Sequence, residues 1–181
     1  MSKVLLPISN GFEEIEALTI ADICRRAEIE VVIASIEDIK VSGAHNISVN
    51  ADSLLKDVNP DDFDMIVLPG GLPNAFNLAD DELLKTILKK FKNENKYIGA
   101  ICAAPYALHK ADVLNKEYTC YPSFEQRIDS SNYVEDKIIV QDEKVITSQG
   151  PATAMPFALE LVKTLKGEEI YNSVKSGLLF K

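Results

Sequence analysis

Short runs of apolar residues recur along this chain, and most of them end in a turn. Val4-Leu5-Leu6-Pro7-Ile8 closes at Ser9-Asn10-Gly11, and Phe63-Asp64-Met65-Ile66-Val67-Leu68 closes at Pro69-Gly70-Gly71. Lys144-Val145-Ile146-Thr147 closes at Ser148-Gln149-Gly150-Pro151. Val31-Val32-Ile33-Ala34 and Tyr97-Ile98-Gly99-Ala100-Ile101 are of the same kind. An apolar run without alternation has both faces covered, as in the central strands of a parallel sheet. Helical periodicity fills the intervals. Ile20, Ile23, Cys24 and Ala27 recur at i, i+3, i+4 and i+7 behind an acidic first turn. Leu84, Ile87, Leu88 and Phe91 follow the capping residues Asp80-Asp81, and Ala154, Phe157, Ala158 and Leu161 precede a stop at Lys166-Gly167. Residues 168–174 predict a last short helix.

This order predicts an α/β fold: a flavodoxin-like three-layer sandwich, mostly parallel in its sheet, with helices on both faces. Two stretches are less regular. Residues 37–57 read as a hairpin excursion, with a turn at Val41-Ser42-Gly43 and an edge strand at Ile47-Ser48-Val49. Asp52-Ser53-Leu54-Leu55 reads as a short helix or loop, and residues 115–142 as short alternating pieces. With no repeat, low-complexity tract or linker, the expectation is one domain over residues 1–181.

Charge narrows the partners. The 28 acidic and 19 basic residues give a net charge of −9, which argues against nucleic acid or an anionic membrane surface. No apolar run approaches membrane-spanning length and no signal-peptide pattern opens the chain. Cys24, Cys102 and Cys120 are odd in number and far apart, which fits a reducing cytoplasm better than a disulfide framework. No His, Cys, Asp or Glu spacing points to a metal, and no motif calls for a cofactor.

In open α/β sheets, sites form beyond the carboxyl ends of the strands. Four strand ends there supply a carboxylate cluster at Glu13, Glu14 and Glu16, a Gly70-Gly71 turn, the Cys102 thiol and a Gly150-Pro151 turn. Ala100-Ile101-Cys102-Ala103-Ala104 has the small-x-nucleophile-x-small form of a nucleophile elbow, with cysteine in place of serine. Free N–H groups at the start of the next helix would lower the thiol pKa. The competing reading is a buried cysteine packed as a small hydrophobe. Backbone N–H groups at Gly70-Gly71 would face the sulfur or a substrate oxygen as an oxyanion hole does; the competing reading is a simple tight turn. Glu16, one helical turn after the first strand, reaches toward the thiol. A carboxyl so close to a thiolate tends to keep its proton and to exchange it. Glu13 and Glu14 read as solvated acids. His45 and His109 read as surface histidines, so no Cys-His dyad is evident.

Gly11-Phe12-Glu13-Glu14-Ile15-Glu16, Val67-Leu68-Pro69-Gly70-Gly71, Ala100-Ile101-Cys102-Ala103-Ala104-Pro105 and Thr147-Ser148-Gln149-Gly150-Pro151-Ala152-Thr153 occur in that order. Together they resemble the ThiJ/PfpI superfamily, in the branch of DJ-one and YajL, over residues 3–179. The resemblance implies a flavodoxin-like homodimer. It makes Cys102 the elbow nucleophile, prone to oxidation to sulfinate, and Glu16 the acid that hydrogen-bonds the sulfur. Gly71 and Ala103 match the positions whose N–H groups line the oxyanion pocket. Arg26 and His45 fall where members of this branch often carry basic residues near the dimer-facing side, and with Gly70 and Tyr121 they complete the candidate substrate pocket. Tyr121 stands where many members place a histidine, which argues against a triad peptidase. Cys120 beside it is a candidate resolving thiol, or a half-buried strand cysteine.

The resulting expectation is a cytoplasmic, cofactor-independent enzyme of glyoxalase-III or deglycase type. Its substrate would be a small reactive aldehyde or a glycated adduct. The alternatives are a redox sensor or chaperone read through Cys102 sulfinate, and, more weakly, a cysteine peptidase or a role in thiamine-thiazole phosphate biosynthesis.

Overall fold

The computed structural model describes residues 2–180, apart from the side chain of Ser130. A seven-stranded sheet runs through it. Its strands are β1 (Lys3–Ile8), β2 (Glu30–Ser35), β5 (Ser53–Leu54), β6 (Met65–Leu68), β7 (Tyr97–Ile101), β8 (Ile139–Asp142) and β9 (Val145–Ser148). The strand order is β5-β2-β1-β6-β7-β9-β8, parallel throughout except for the final antiparallel pair. A separate antiparallel hairpin joins β3 (Lys40–Ser42) to β4 (Ser48–Asn50).

Alternate residues of the apolar strands feed two cores. On one face Val4, Leu6, Ile8, Met65 and Val67 pack with Ile20, Ile23, Phe157 and Leu161. These come from α1 (Glu14–Arg26) and α5 (Ala154–Lys166), and α6 (Glu168–Gly177) packs against α5. On the other face Leu5, Ile66, Leu68, Ile98 and Ala100 meet Leu78, Leu84, Leu88 and Leu108. Those belong to α2 (Asn74–Asp80), α3 (Glu82–Asn93) and α4 (Pro105–Lys110). The period-two split of each strand produces the helix–sheet–helix sandwich expected from the sequence.

Several local expectations are corrected. The hairpin forms, but Val41 and Ser42 lie in strand β3 and the turn spans residues 43–47. Ser53-Leu54 is neither helix nor loop: it adds an edge strand beside Ala34 and Ser35, and a 3-10 turn follows at Leu55–Asp57. The piece around Tyr118 makes only an isolated bridge to Tyr133. No helix of the described residues is long and apolar enough to cross a membrane.

Candidate active site

Strand β7 ends at Ile101, and the chain bends at Cys102 with φ +64°. A non-glycine residue held there carries about 1–3 kcal/mol of strain, so the surroundings must fix it. They do so from two sides. The Cys102 N–H donates to Ser148 O (3.0 Å) at the end of β9, and Cys102 O accepts from Tyr121 N–H (2.8 Å). Ala100, Ala103 and Ala104 are buried and leave room for the bend.

Glu16 lies in the first turn of α1 and is wholly buried. Its Oε2 accepts from Gly70 N–H at 2.7 Å, and its carboxyl faces the Cys102 thiol. Among the described residues Oε1 has no other well-aligned partner. Burial pushes the Glu16 carboxyl up to about 7, against the opposing pull of the Gly70 N–H and the thiol, while the charge of Glu13 adds to the rise. Burial and then the Glu16 charge push the thiol up as well. The N–H groups of Gly71 and Ala103, hydrogen-bonded to the sulfur, pull it the other way. The expectation of a lowered thiol pKa is therefore corrected. Desolvation outweighs the N–H groups, and α4 is short and opens on Pro105, which has no N–H to offer. Thiol and carboxyl titrate as one unit that does not readily carry two negative charges.

The Gly-Gly turn is shaped by close approach. A Cβ at Gly70 would lie 2.6 Å from the Cys102 Cβ and 3.0 Å from its sulfur. Gly71 has φ +88°, and a Cβ there would overlap the backbone N of Glu13 and O of Gly11. Buried Asn74 ties this turn to the end of β1. Its Oδ1 accepts from Ser9 N–H (2.7 Å), and its Nδ2 donates to Pro69 O and Gly70 O (both 2.9 Å).

The sulfur opens into a cavity of about 430 Å³. Its apolar wall comes from Ile15, Leu72, Phe124 and Pro151, with the Tyr121 ring beside them, and its charged groups are Glu13 and His45. Phe124 is backed by a stacked Phe76 at 6.2 Å. Here Glu13 and Glu14 are buried, not solvated as expected. The reason is the hairpin turn, which closes over Glu14. Glu14 Oε1 accepts from His45 N–H (2.7 Å) and Ile47 N–H (3.3 Å), and Oε2 lies 2.9 Å from His45 Nδ1.

The structure thus brings Cys102, Glu16, Gly70, Gly71, Ala103, Tyr121 and His45 together. Arg26 is corrected: it sits in the last turn of α1, ten residues and about 15 Å along the helix from Glu16, and pairs with Asp22 at 2.7 Å. His109 lies at a different cavity. Cys120 is fully buried outside any strand, and burial pushes its thiol, like that of Cys24, up to about 12. Glu13, Glu14 and His45 bring three possible ligand atoms within 4.8 Å of one another, a grouping invisible in sequence because His45 is 31 positions from Glu14. The Glu14 carboxylate in it is already satisfied by two N–H groups and the imidazole. Sequence reasoning missed Asn74, Ile15, Leu72 and Phe124 at this site, while the Gly150-Pro151 turn expected at the rim does supply Pro151 to the cavity wall. Only Asn74 left a signal, as a polar residue just past the Gly-Gly turn.

The whole chain is similar to known proteins. The model of the DJ-1/PfpI family matches residues 2–164. Protein dj-1beta of Drosophila melanogaster is 39% identical over 185 residues, covering 99% of this chain and 98% of that protein. The glutathione-independent glyoxalase DJR-1.2 of Caenorhabditis elegans is 35% identical, covering 97% and 94%. The structure of oxidized Toxoplasma gondii DJ-1 superposes with a TM-score of 0.95 at 35% identity, covering 99% of each chain.

Proposed function

The chain belongs to the DJ-1/PfpI family, and from that premise we propose that it is a cysteine-dependent enzyme converting reactive 2-oxoaldehydes to hydroxy acids. The chemical class comes from relatives named as glutathione-independent glyoxalases. The observation that carries the reading is the coupled Glu16–Cys102 pair opening into a largely apolar cavity.

A base works best when its pKa lies near the working pH, and Glu16 sits at about 7. The thiol proton passes to Glu16 as the sulfur bonds to the aldehyde carbon, so a free thiolate never accumulates. The N–H groups of Gly71 and Ala103 take the developing oxyanion. Glu16 passes that proton on to the oxyanion, giving the neutral hemithioacetal. The freed carboxylate then takes the C1 proton and returns it to C2, while the hydroxyl proton moves from the C1 oxygen to the C2 oxygen. C1 is oxidised to a thioester and C2 reduced to a carbinol, with no external oxidant. Water releases the hydroxy acid and restores the thiol. The same addition to a glycated amine is deglycase chemistry. The remaining parts of this reading are a single domain over the whole chain, a homodimer, a cytoplasmic setting, and a place on the DJ-one/YajL branch.

Purified parent protein and Cys102→Ala are to be compared for conversion of methylglyoxal to lactate. The variant is expected to lose activity, and equal rates would refute the proposal. A second reading has its own support. The two N–H groups at the sulfur suit sulfinate oxygens, and the similar Toxoplasma gondii DJ-1 structure is of the oxidized protein. Under mild peroxide, this sensor reading predicts gain of two oxygens at Cys102 alone. Equal oxidation of Cys24 and Cys120 would exclude it.

A further inference from the structure

The elbow segment offers no histidine to this pocket, but the hairpin does. We propose that His45, oriented by the buried carboxylate of Glu14, is the base that activates water in the hydrolytic half of the reaction. The inference rests on the oxoaldehyde reading above and assigns a group to a step that Glu16 serves poorly. Glu16 is wholly enclosed, tied to Gly70 N–H and turned to the sulfur. His45 lines the same cavity as Cys102, and in the single chain its side chain is 68% exposed at the cavity mouth.

The geometry is that of a carboxylate-oriented imidazole. Glu14 is 3% exposed, and its Oε1 is held by the N–H groups of His45 and Ile47. Its position is fixed further because the backbone of Gly43 lies directly against it, with no space for a Cβ. Oε2 then lies 2.9 Å from His45 Nδ1. An ionised carboxylate only accepts, so neutral His45 carries its proton on Nδ1 and keeps the Nε2 lone pair. The charged groups facing the imidazole are Glu14 and, at 3.7 Å, Glu13. The hydrogen bond from Glu14 and the charges of Glu13 and Glu14 strengthen it as a base.

The step balances. Water bonds through oxygen to the thioester carbon as one of its protons passes to His45 Nε2. The C–S bond breaks, and His45 returns that proton to the sulfur. Thioester and water become hydroxy acid and free thiol, and nothing else is consumed.

The test is His45→Gln, which keeps a polar side chain but cannot act as a base, with thermal unfolding to verify the fold. Loss of a positioned base lowers the step by about 100-fold. Because thiol addition is untouched, kcat and KM are expected to fall together and kcat/KM to stay near the parent value. Mass spectrometry is expected to find the hydroxyacyl group trapped on Cys102. The idea is overturned if kcat stays within about threefold of the parent, or if kcat falls with no acyl adduct. Nitrogen NMR of the parent gives a readout independent of turnover: the Nδ1–H tautomer of His45 is expected, and an Nε2–H tautomer overturns the assignment. Absence of turnover in the parent would instead strike the oxoaldehyde reading itself.

Discussion

Replacing Glu16 by glutamine separates the demands of folding from those of chemistry. The folded chain holds the Glu16 proton up to about 7, against 4.5 for an unperturbed carboxyl. The native state therefore binds this proton more tightly than the unfolded one. Its stabilising contribution is complete below about 4.5 and is lost as pH rises through about 7. The gap corresponds to about 3 kcal/mol, a substantial part of a typical domain stability. Glutamine occupies the same volume, can still accept from Gly70 N–H, and does not ionise. Urea unfolding of parent and Glu16→Gln at about pH 4 and pH 8 isolates the effect, because other titrating groups largely cancel in the difference. The variant is expected to gain about 3 kcal/mol relative to the parent between the two pH values, while losing activity. A difference that stays constant with pH would refute the claim that burial holds the proton on this group.

Other consequences follow from the packing around the turn. Gly71→Ala meets both a left-handed backbone and the chain at Gly11 and Glu13. It is expected to destabilise by about 2 kcal/mol or more in denaturant unfolding. Asn74→Ala strands the Ser9 N–H and the Pro69 carbonyl and removes one of the two donors to Gly70 O, which keeps the Glu13 N–H, and is expected to lower stability by about 2–4 kcal/mol. Activity is expected to fall with it, because the Gly70 turn loses its anchor. Iodoacetamide on the native protein is expected to label Cys102, which opens into the cavity, and spare Cys24 and Cys120, which are fully buried. Peptide mass mapping reads the result.

The sandwich was legible because β1, β6, β7 and β9 are short apolar runs ended by turns, and because the periodicity of α1, α3 and α5 is strong. Strand β5 was not, since Ser53 and Leu54 join the sheet only by lying beside Ala34 and Ser35. Nor was α2, where Asn74–Asp80 is too short to display a period. At the site, local motifs placed Cys102, Glu16 and Gly70-Gly71 together, since strand ends of a parallel sheet share one rim. What the motifs did not carry was enclosure. The burial of Glu14 comes from a hairpin some thirty residues on, and desolvation of Cys102 at its own elbow, with the Glu16 charge, reverses the expected direction of its pKa. Arg26 was assigned to the pocket from the resemblance alone, and helix α1 carries it about 15 Å from Glu16 within the same chain.

The pH dependence of kcat/KM for methylglyoxal in parent and Glu16→Gln tests the coupled pair most directly. If Glu16 takes the thiol proton, the parent rises through an apparent pKa near 7, as the pair loses its first proton, and then levels. The variant is expected to be slower and to lack that rise. A Glu16→Gln protein that keeps the parent's rate and its inflection would contradict the account.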